Sequence, residues 1–373
     1  MLLEDRLTGY FEWFHRHPEL SYEEYGTTAR IKEILLEEGI EVLPYELETG
    51  LVAVVRGGKP GPVQALRCDI DGLPIREETG LPYASLCEGK MHACGHDFHI
   101  VAGIGCAVLL EERKQELAGT VKLVFQPAEE SSLGALKILE AGVMEDVDRV
   151  WGIHADPTNE AGTLGIREGY VTAAVDRFVV TVKGVGCHGA HPDDGIDPVP
   201  VAAAIVQAFQ TIVSRNVNAF HPALVSVTRL EAGNTWNVIP ETAVLEGTVR
   251  TMDRQDRILF EKRIREIAEN TARAYGAEAK AEWIAGPPAT CNDGGMVKES
   301  MRTAQACGFL VVPEECSMGG DDFSFYEEKV PGCYIKVGTG KGKLIHQPGF
   351  MVDKKVILPT AEYLAELLGA KAN

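Results

Sequence analysis

The sequence has no long apolar run and is poor in positive charge, and both shortages narrow the possible functions. Its 36 Lys and Arg residues are outnumbered by 55 Asp and Glu residues, which gives a formal net charge of −19. Such a charge repels nucleic acid and anionic membrane surfaces, so we expect neither as a partner. No apolar stretch approaches the roughly 18 residues of a membrane helix. The opening "MLLEDRLTGYFEWFHRH" lacks the basic-then-apolar order of a signal peptide.

The cysteine pairs of cross-linked or zinc-ribbon proteins are also missing. The nine cysteines are odd in number and scattered along the chain, and none of them forms a CxxC pair. That distribution indicates neither a disulfide framework nor a zinc ribbon. We therefore expect the protein to work in the reducing cytoplasm.

The length and the sequence pattern predict two domains, the first of α/β class. At 373 residues the chain exceeds the size at which one hydrophobic core usually stops growing. Residues 2–40 are predicted to be helical, with a break at Pro18, after which Ser21 and Glu24 offer a capping box. Strands then alternate with helices, which predicts a largely parallel sheet.

The pattern changes near residue 172, where "DRFVVTVKGV" begins a different arrangement. Strands and helices now follow in the order β-α-β-β-α-β, which is typical of a ferredoxin-like α+β domain. We predict that residues 173–285 are a domain inserted into the first one. Residues 1–172 and 286–373 would then form the α/β domain together.

The stretch "HACGHDFH" is dense in groups that bind metals or carry out catalysis. Cys94 and His96 are two positions apart, so their side chains can converge on one zinc-like ion from an extended loop. Two alternatives stay open at this point. Cys94 could be a nucleophile beside a base, or His92, His96 and His99 could cap the following helix without any chemistry.

A second stretch, "FQPAEESS", places Glu129 and Glu130 side by side after a predicted strand. Adjacent carboxylates in a loop point to different sides, so one can bind a metal while the other serves as a general base. Acidic residues also favour the first turn of any helix, which is the alternative reading. The position favours chemistry, because open α/β folds bind ligands at the carboxyl ends of their strands.

Further polar residues fit the same pattern of strand ends. Asp69 and Asp71 close one strand, His154 closes another, and His346 precedes a proline near the C-terminus. In the inserted block, the segment "GVGCHGAHPDD" presents His188 and His191, and an arginine in so acidic a chain can clamp a substrate carboxylate. Arg250 is the candidate for that role.

Together these stretches resemble the M20 family of metallopeptidases and amidohydrolases. The closest resemblance is to the branch with aminoacylase-like, hippurate-hydrolase-like and indoleacetyl-amino-acid-hydrolase-like enzymes. The matching segments span nearly the whole chain: "HRHPELSYEE", "RCDIDGLPI", "MHACGHDFH", "FQPAEE", "GIHADP", "GCHGAHP", "NVIPE", "GTVRT", "MGGDDFSFY" and "IHQPGF". The resemblance implies a zinc-peptidase-like α/β catalytic domain and an inserted lid that commonly mediates dimerisation. It also implies two divalent metal ions per subunit, drawn from zinc, manganese, nickel or cobalt.

The resemblance also implies the roles of particular residues. The metal ligands it implies are Cys94, His96, Glu130, His154 and His346. Glu129 corresponds to the general base, and Asp71 to an aspartate that orients a ligand.

In the inserted domain, the resemblance implies that residues hold the substrate. His188 corresponds to a lid histidine that stabilises the oxyanion. Asn237 and Arg250 correspond to residues that hold the carbonyl and the carboxylate of the substrate, and the backbone around Gly319 and Gly320 to a second carboxylate contact. The implied reaction is hydrolysis of an N-acyl amino acid by a metal-activated water, with Glu129 as the base.

The sequence also departs from the family pattern. Phe98 stands where glycine is usual, and Asp156 stands where a neutral residue is common, so both could change the acyl pocket or the charge near the metals. His92 and His99 are expected to be structural.

Three rival functions follow from the same residues. A dipeptidase of the same family would need a group for a free α-amine, for which Asp156 is the one candidate. A cysteine hydrolase would use Cys94 with His96, although that spacing is poor and leaves the double glutamate unexplained. A non-catalytic metal-binding protein would have no need for Glu129.

Overall fold

A computed structural model of the chain describes residues 2–369, which divide into two compact units. The second unit consists of Thr172–Ala289 and Cys316–Gly320, and the first contains the remaining described residues. The short segment Cys316–Gly320, which we expected in the α/β domain, joins the second unit through backbone hydrogen bonds. The N–H of Ala173 lies 2.8 Å from the carbonyl oxygen of Gly319 and 3.1 Å from that of Ser317.

The described residues form nine α-helices and sixteen β-strands, together with three short 3₁₀ turns. The helices are α1 Leu3–Arg16, α2 Tyr25–Glu37, α3 His96–Glu112, α4 Gly134–Glu140, α5 Pro198–Arg215, α6 Arg254–Ala274, α7 Gly294–Ala306, α8 Ser324–Glu327 and α9 Ile357–Gly369. The strands are β1 Glu41–Leu43, β2 Leu51–Arg56, β3 Lys59–Asp69, β4 Ala118–Gln126, β5 Arg149–Asp156, β6 Thr163–Gly165, β7 Gly169–Thr172, β8 Ala174–Lys183, β9 Cys187–His188, β10 Ala223–Ala232, β11 Val238–Ile239, β12 Thr242–Thr251, β13 Glu278–Ala285, β14 Thr290–Asn292, β15 Leu310–Val312 and β16 Gly332–Gly338.

The first unit is built on an eight-stranded sheet of order β1-β2-β4-β3-β5-β16-β6-β15. Its centre, β4-β3-β5-β16, is parallel, as the alternation of strands and helices predicts. The pairs β1/β2, β2/β4 and β6/β16 are antiparallel, so the sheet is mixed and not parallel throughout. Only residues 57 and 58 separate β2 from β3, and so short a link must reverse the chain direction.

Helix α3 runs through the largest core and begins at the candidate metal loop. Fourteen of its seventeen residues are buried, among them Phe98, which has no exposed surface. A helix that is apolar on every side is covered on every side, and α3 packs against α1, α9 and β3. The core therefore holds His96, the first residue of α3, in a fixed place.

The predicted capping box before α2 is wrong. Glu24 is the residue that precedes the helix, but its own side chain makes no capping hydrogen bond. The hydroxyl of Ser21 instead donates to Asp71 Oδ2 at 2.7 Å. The carboxylate of Glu24 accepts from Thr49 and from the backbone of Ala128. Both side chains are therefore used for contacts distant in sequence, which a local pattern does not reveal.

The second unit has the predicted ferredoxin-like layout. Its four strands lie in the order β10-β12-β8-β13, and every neighbouring pair is antiparallel. Helices α5 and α6 cover one face, where Phe178, Phe209 and Phe260 are fully buried. A separate two-stranded pairing of β9 with β11 joins His188 to Val238. In residues 2–369, none of the helices has both the length and the apolar character needed to cross a membrane.

Candidate metal centre

The candidate metal-binding residues lie at one edge of the central parallel strands. Cys94 and His96 stand at the start of α3, and Glu129 and Glu130 form a 3₁₀ turn directly after β4. His154 is near the end of β5. The positions of the two glutamates and of His154 are the carboxyl ends of central strands, where open α/β folds bind their ligands. His346, in the loop after β16, joins the group.

The distances between their side chains are short. Cys94 Sγ lies 3.3 Å from His154 Nε2, and Glu130 Oε1 lies 3.4 Å from His346 Nε2. His96 Nε2 lies 4.0 Å from Glu130 Oε1. Two donors at zinc-like distances on one tetrahedral ion are about 3.4 Å apart, so these separations suit shared ions. The structure therefore brings together all five residues for which the sequence implied metal binding.

Two buried atoms in this group have no hydrogen-bond partner among the described residues. They are Nε2 of His96 and Oε1 of Glu130. Buried polar atoms are normally paired, so each needs a partner of another kind. A set of one sulfur, three imidazole nitrogens and one carboxylate fits divalent ions of the zinc type. The donor atoms fall into overlapping groups of three, each within 4.8 Å, which gives room for more than one ion.

The electric field at His96 favours a cation. Burial alone would lower the pKa of His96, but the carboxylates of Asp69 and Asp71 outweigh burial and raise this pKa well above its usual value. The same carboxylates would stabilise a metal ion at Nε2. His154 differs, since burial and the neighbouring His99 lower its pKa to about 3, which keeps the imidazole neutral and able to bind metal.

The thiol of Cys94 is poorly suited to act as a nucleophile without a bound metal ion. Burial raises the pKa of this thiol well above its usual value. His96 acts to lower this pKa, but the carboxylates of Glu130 and Glu129 add to the effect of burial, and the net shift is upward. A nucleophilic cysteine needs the opposite, a pKa lowered by nearby positive charge. A bound cation would supply that charge and turn the thiol into a thiolate ligand.

Asp71 positions three partners of this centre. Nδ1 of His96 lies 2.9 Å from the carbonyl oxygen of Asp71 and 3.2 Å from its Oδ1, so Nε2 is the nitrogen that faces the other donors. Its two carboxylate oxygens also accept the backbone N–H groups of Glu129 and Glu130, at 3.1 and 3.0 Å. This arrangement fits the orienting role that the resemblance implies.

Glu129 lies beside the donors, and its side chain is not tied up by hydrogen bonds. Its Oε2 is 3.9 Å from His96 Nε2, and the residue is 8% exposed. Burial, followed by the negative charges of Asp321 and Asp322, raises its pKa well above the usual range. A carboxylate of raised pKa in a buried site is suited to accept and release a proton near neutral pH.

The network beneath this centre was missed by sequence reasoning. His99 was expected to be structural. Its Nδ1 lies beside the carboxylate of Asp69, and its Nε2 accepts the N–H of Ala155 at 2.9 Å. Because Ala155 follows His154, this contact fixes the end of β5. The buried guanidinium of Arg67 pairs with Asp69 and with two further aspartates, which are Asp321 and Asp322.

Asp321 and Asp322 lie in the segment "MGGDDFSFY", which matches the family pattern but carries no local sign of its role. Two adjacent aspartates do not indicate a buried arginine 255 positions earlier in the chain. His92 is buried, its two ring nitrogens have no partner among the described residues, and burial lowers its pKa to about 4.

The two departures from the family pattern have structural explanations. Phe98 is fully buried in the main core, so it packs α3 and does not line an open pocket. The carboxylate of Asp156 accepts from the N–H and the hydroxyl of Thr158, at 2.9 and 2.6 Å, and from the amide of Asn159 at 2.6 Å. That is an Asx turn, and it occupies both carboxylate oxygens.

The residues expected to hold the substrate lie in the second unit. The β9/β11 pairing brings His188 close to Asn237, whose carbonyl oxygen accepts the N–H of Gly189 at 2.8 Å. Nδ1 of His188 accepts the N–H of Ala190, so in the neutral ring Nε2 is the donor. A side chain at Gly320 would come within 2.1 Å of Val175.

Arg250, on β12, is half-buried, and its guanidinium has no hydrogen-bond or ion-pair partner in residues 2–369. Burial lowers its pKa, and Asp176 opposes that effect. Asp176 itself is held by Arg257 through two bonds of 2.7 and 2.8 Å. The Arg250 guanidinium is therefore available for an anion.

The chain is similar to a known protein family over most of its length. Residues 65–370 match the model of peptidase family M20/M25/M40. The chain is 45% identical over 354 residues to an N-acetylcysteine deacetylase of Bacillus subtilis, covering 95% of this chain and 93% of that protein. A second B. subtilis protein, an N-acetyl-L-cysteine deacetylase, is 44% identical over 98% of this chain and 88% of its own.

Among solved structures, the B. subtilis YXEP protein, described as a dinuclear metal binding peptidase from the M20 family, superposes with a TM-score of 0.90. The two chains are 42% identical, and the match covers 98% of this chain and 97% of the other. The fold is thus shared along almost the whole length.

Proposed function

The chain belongs to peptidase family M20/M25/M40, and from that membership we propose that it hydrolyses the amide bond of N-acyl amino acids. The products are a carboxylic acid and a free amino acid. The protein is a metal-dependent amidohydrolase, and its cofactors are two divalent metal ions. The relatives that carry this proposal are named for the removal of an acetyl group from an amino acid.

The observation that supports catalysis most directly is the position of Glu129. It lies beside the donors, next in sequence to Glu130, and its carboxylate is close to His96 and Glu130. The groups Cys94–His96–His154 and Cys94–Glu130–His346 are each complete without it. A purely structural metal site is closed and has no use for such a carboxylate. Glu129 therefore favours a hydrolase over a non-catalytic metal-binding protein.

We assign the metal-binding role to Cys94, His96, Glu130, His154 and His346. Ions held there would polarise the scissile carbonyl and make an attacking water more acidic. Glu129 takes a proton from that water as the oxygen attacks the carbonyl carbon, and then delivers it to the leaving nitrogen. The C–N bond breaks, and the water oxygen stays with the acyl carbon.

The second unit supplies the substrate contacts in this proposal. Arg250 would pair with the α-carboxylate of the substrate, because its guanidinium is half-buried and has no acidic partner of its own. The side chains of Asn237 and His188 would donate to the carbonyl oxygen, where negative charge develops. The backbone at Gly320 would complete the carboxylate site.

A panel of substrates and metals tests this function. The purified protein is stripped with a chelator, reloaded with zinc, manganese, cobalt or nickel, and assayed for amino acid release. N-acetyl, N-benzoyl and N-indoleacetyl amino acids are compared with dipeptides. Release from N-acyl amino acids, lost on stripping and regained with metal, supports the proposal. No release from any substrate with any metal supports the non-catalytic alternative.

A dipeptidase of the same family is the alternative enzyme. It would need an acidic group for the free α-amine of the substrate, and Asp156 was the one candidate. The Asx turn engages both carboxylate oxygens of Asp156, so the structure offers this residue no free oxygen for an amine. That contact disfavours the dipeptidase.

We propose further that the protein forms a homodimer through its second unit. The side chains of Trp236 and Phe220 are 94% and 93% exposed, and β10 lies at the edge of its sheet. Exposed aromatic side chains and an open strand edge are typical of protein–protein interfaces. Sedimentation analysis of the native protein and of Trp236→Ser with Phe220→Ser tests this assembly.

We also propose a reducing compartment, the cytoplasm, for its site of action. All nine cysteines are free, and four of them are buried: Cys68, Cys94, Cys106 and Cys333. Disulfides persist where the surroundings are oxidising, and a free thiol at the metal centre would be at risk there. Thiol titration of the protein as isolated from cells, unfolded in denaturant with the metal removed, is expected to find nine free thiols.

A further inference from the structure

Glu24 lies in a part of the fold to which neither the motifs nor the proposed mechanism assign a role in chemistry. It immediately precedes α2 and has no exposed surface. Its Oε1 accepts the backbone N–H of Ala128 at 2.8 Å, and its Oε2 accepts the hydroxyl of Thr49 at 2.8 Å. One buried carboxylate thus joins the start of α2 to the residue before Glu129.

Ala128 has an uncommon backbone conformation at this contact. Its φ of 56° and ψ of 40° are left-handed, a region that residues other than glycine rarely adopt. Such a conformation persists only where neighbouring contacts hold it. This turn changes the direction of the chain just after β4. The two residues that follow it are Glu129 and Glu130, so the turn sets where both glutamates lie.

Three consecutive N–H groups of this turn are held by two buried carboxylates. Glu24 accepts from Ala128, while Asp71 accepts from Glu129 at Oδ1 and from Glu130 at Oδ2. Asp71 also contacts His96, so it belongs to the metal centre. Among the described residues, Glu24 makes no side-chain hydrogen bond to a residue of the centre, although its carboxylate and that of Asp71 repel each other. The contact that ties Glu24 to Glu129 is therefore the hydrogen bond to the turn.

We infer that Glu24 is a positioning residue that holds the turn at Ala128 and thereby places the general base Glu129. This inference rests on the proposed function of Glu129. The bond to Ala128 needs only an acceptor oxygen, and the bond to Thr49 can run in either direction, so an amide can replace the carboxylate. Charge at Glu24 is not required.

Three variants test this inference. Glu24→Ala removes the acceptor, and a misplaced base should lower kcat by about 10- to 100-fold while KM changes by less than about threefold. Glu24→Gln keeps the acceptor and should keep kcat within about threefold of the wild type. The matched control is Glu19→Ala, because Glu19 accepts two backbone N–H groups, those of Gly26 and Thr27, at the same end of α2.

Hydrogen–deuterium exchange supplies a second measurement that does not depend on turnover. The peptide covering residues 127–131 should exchange faster in Glu24→Ala than in the wild type, and at the wild-type rate in Glu24→Gln. If Glu24→Ala does not fold, Glu24→Asp replaces it, since the side chain is one methylene too short to reach both partners.

The inference is overturned by any of three results. The first is that Glu24→Ala has the kcat of the wild type and the wild-type exchange rate in residues 127–131. The second is that Glu19→Ala loses as much kcat as Glu24→Ala. The third is that Glu24→Gln loses as much kcat as Glu24→Ala. A wild-type protein that hydrolyses no N-acyl amino acid would contradict the proposed function instead. The exchange rates would still decide whether Glu24 holds the turn.

Discussion

Asp71 contacts the ring of His96 twice at Nδ1, through its carbonyl oxygen at 2.9 Å and through Oδ1 at 3.2 Å. Because this nitrogen is occupied, Nε2 is the atom that faces the other donors. The remaining oxygen of Asp71 accepts the N–H of Glu130. A single carboxylate thus orients two of the proposed metal-binding residues.

Replacing Asp71 with asparagine should weaken metal binding. The amide would point an N–H group toward the N–H of Glu130 or toward His96, so one orienting contact is lost. Contacts of this kind are worth about 10- to 100-fold in metal affinity. Competition with a chromophoric chelator measures the change. Ser21→Ala is the matched control, because it removes one hydrogen bond to Asp71 without introducing a donor. Equal metal affinity in Asp71→Asn and the wild type would contradict the orienting role.

Replacing Glu129 should stop turnover while the metal stays bound. Glu129→Gln keeps the shape of the side chain but cannot accept the proton, and general-base catalysis is worth about 10²- to 10⁴-fold in rate. Glu129→Ala should be at least as inactive. Both proteins should retain the metal content of the wild type by elemental analysis. Glu130→Gln is the comparison, since it should lose metal. Substantial activity in Glu129→Ala would remove the base from the mechanism.

Replacing Cys94 with serine separates a metal ligand from a nucleophile. The serine hydroxyl is a weaker ligand for zinc-type ions, so apparent metal affinity should fall. As the metal concentration rises, activity should return. A nucleophilic cysteine predicts a variant that is inactive at every metal concentration. The measurement is hydrolysis rate against free metal concentration, for the wild type and the variant side by side.

The candidate donors could be predicted from the sequence because several of them lie at the end of a strand or at the start of a helix. Cys94, His96 and Glu130 lie at strand or helix ends, and a parallel sheet brings such ends to one edge. The contact from Glu24 to Ala128 spans 104 positions and joins a carboxylate to a backbone N–H. Neither the glutamate nor the alanine indicates in the sequence that this contact forms. Ser21 and Glu24 even matched a capping box, and the fold overrode that local preference.

In the inserted domain, too, some features could be predicted from the sequence and others could not. Strand and helix order predicted its ferredoxin-like sheet, and alternating apolar residues mark its two central strands, β8 and β12. The attachment of Cys316–Gly320 to this unit could not be predicted, since it depends on backbone hydrogen bonds from Ala173. Long-range backbone pairing carries no side-chain signature.

Arg250 should bind the carboxylate of the substrate and so favour substrates that carry one. The wild type is expected to prefer an N-acyl amino acid over the matching N-acyl amino acid amide. In Arg250→Ala, kcat/KM for the acid should fall by about 10²-fold, with little change for the amide, since a charge-assisted pair is lost. Arg177→Ala is the control, because Arg177 is exposed and paired with Glu246. Equal losses for acid and amide would assign Arg250 a structural role.

His15 should make the stability of the protein depend on pH. Its ring lies between Asp97, at 2.7 Å, and Glu77, at 3.2 Å, and it is 3% exposed. Burial alone would lower the pKa of His15, but these two carboxylates raise it to about 9. The usual pKa of about 6.5 applies in the unfolded chain.

Because the folded pKa of His15 is the higher one, protonated His15 stabilises the folded state. This contribution is fully present below about pH 6.5 and is lost as the pH rises through about 9, with a size of about 3 kcal/mol. Urea unfolding of the wild type and of His15→Gln, measured between pH 6 and pH 10, tests it. The stability advantage of the wild type should shrink across that window. A constant difference would show that the His15 ring contributes through its packing and not through its charge.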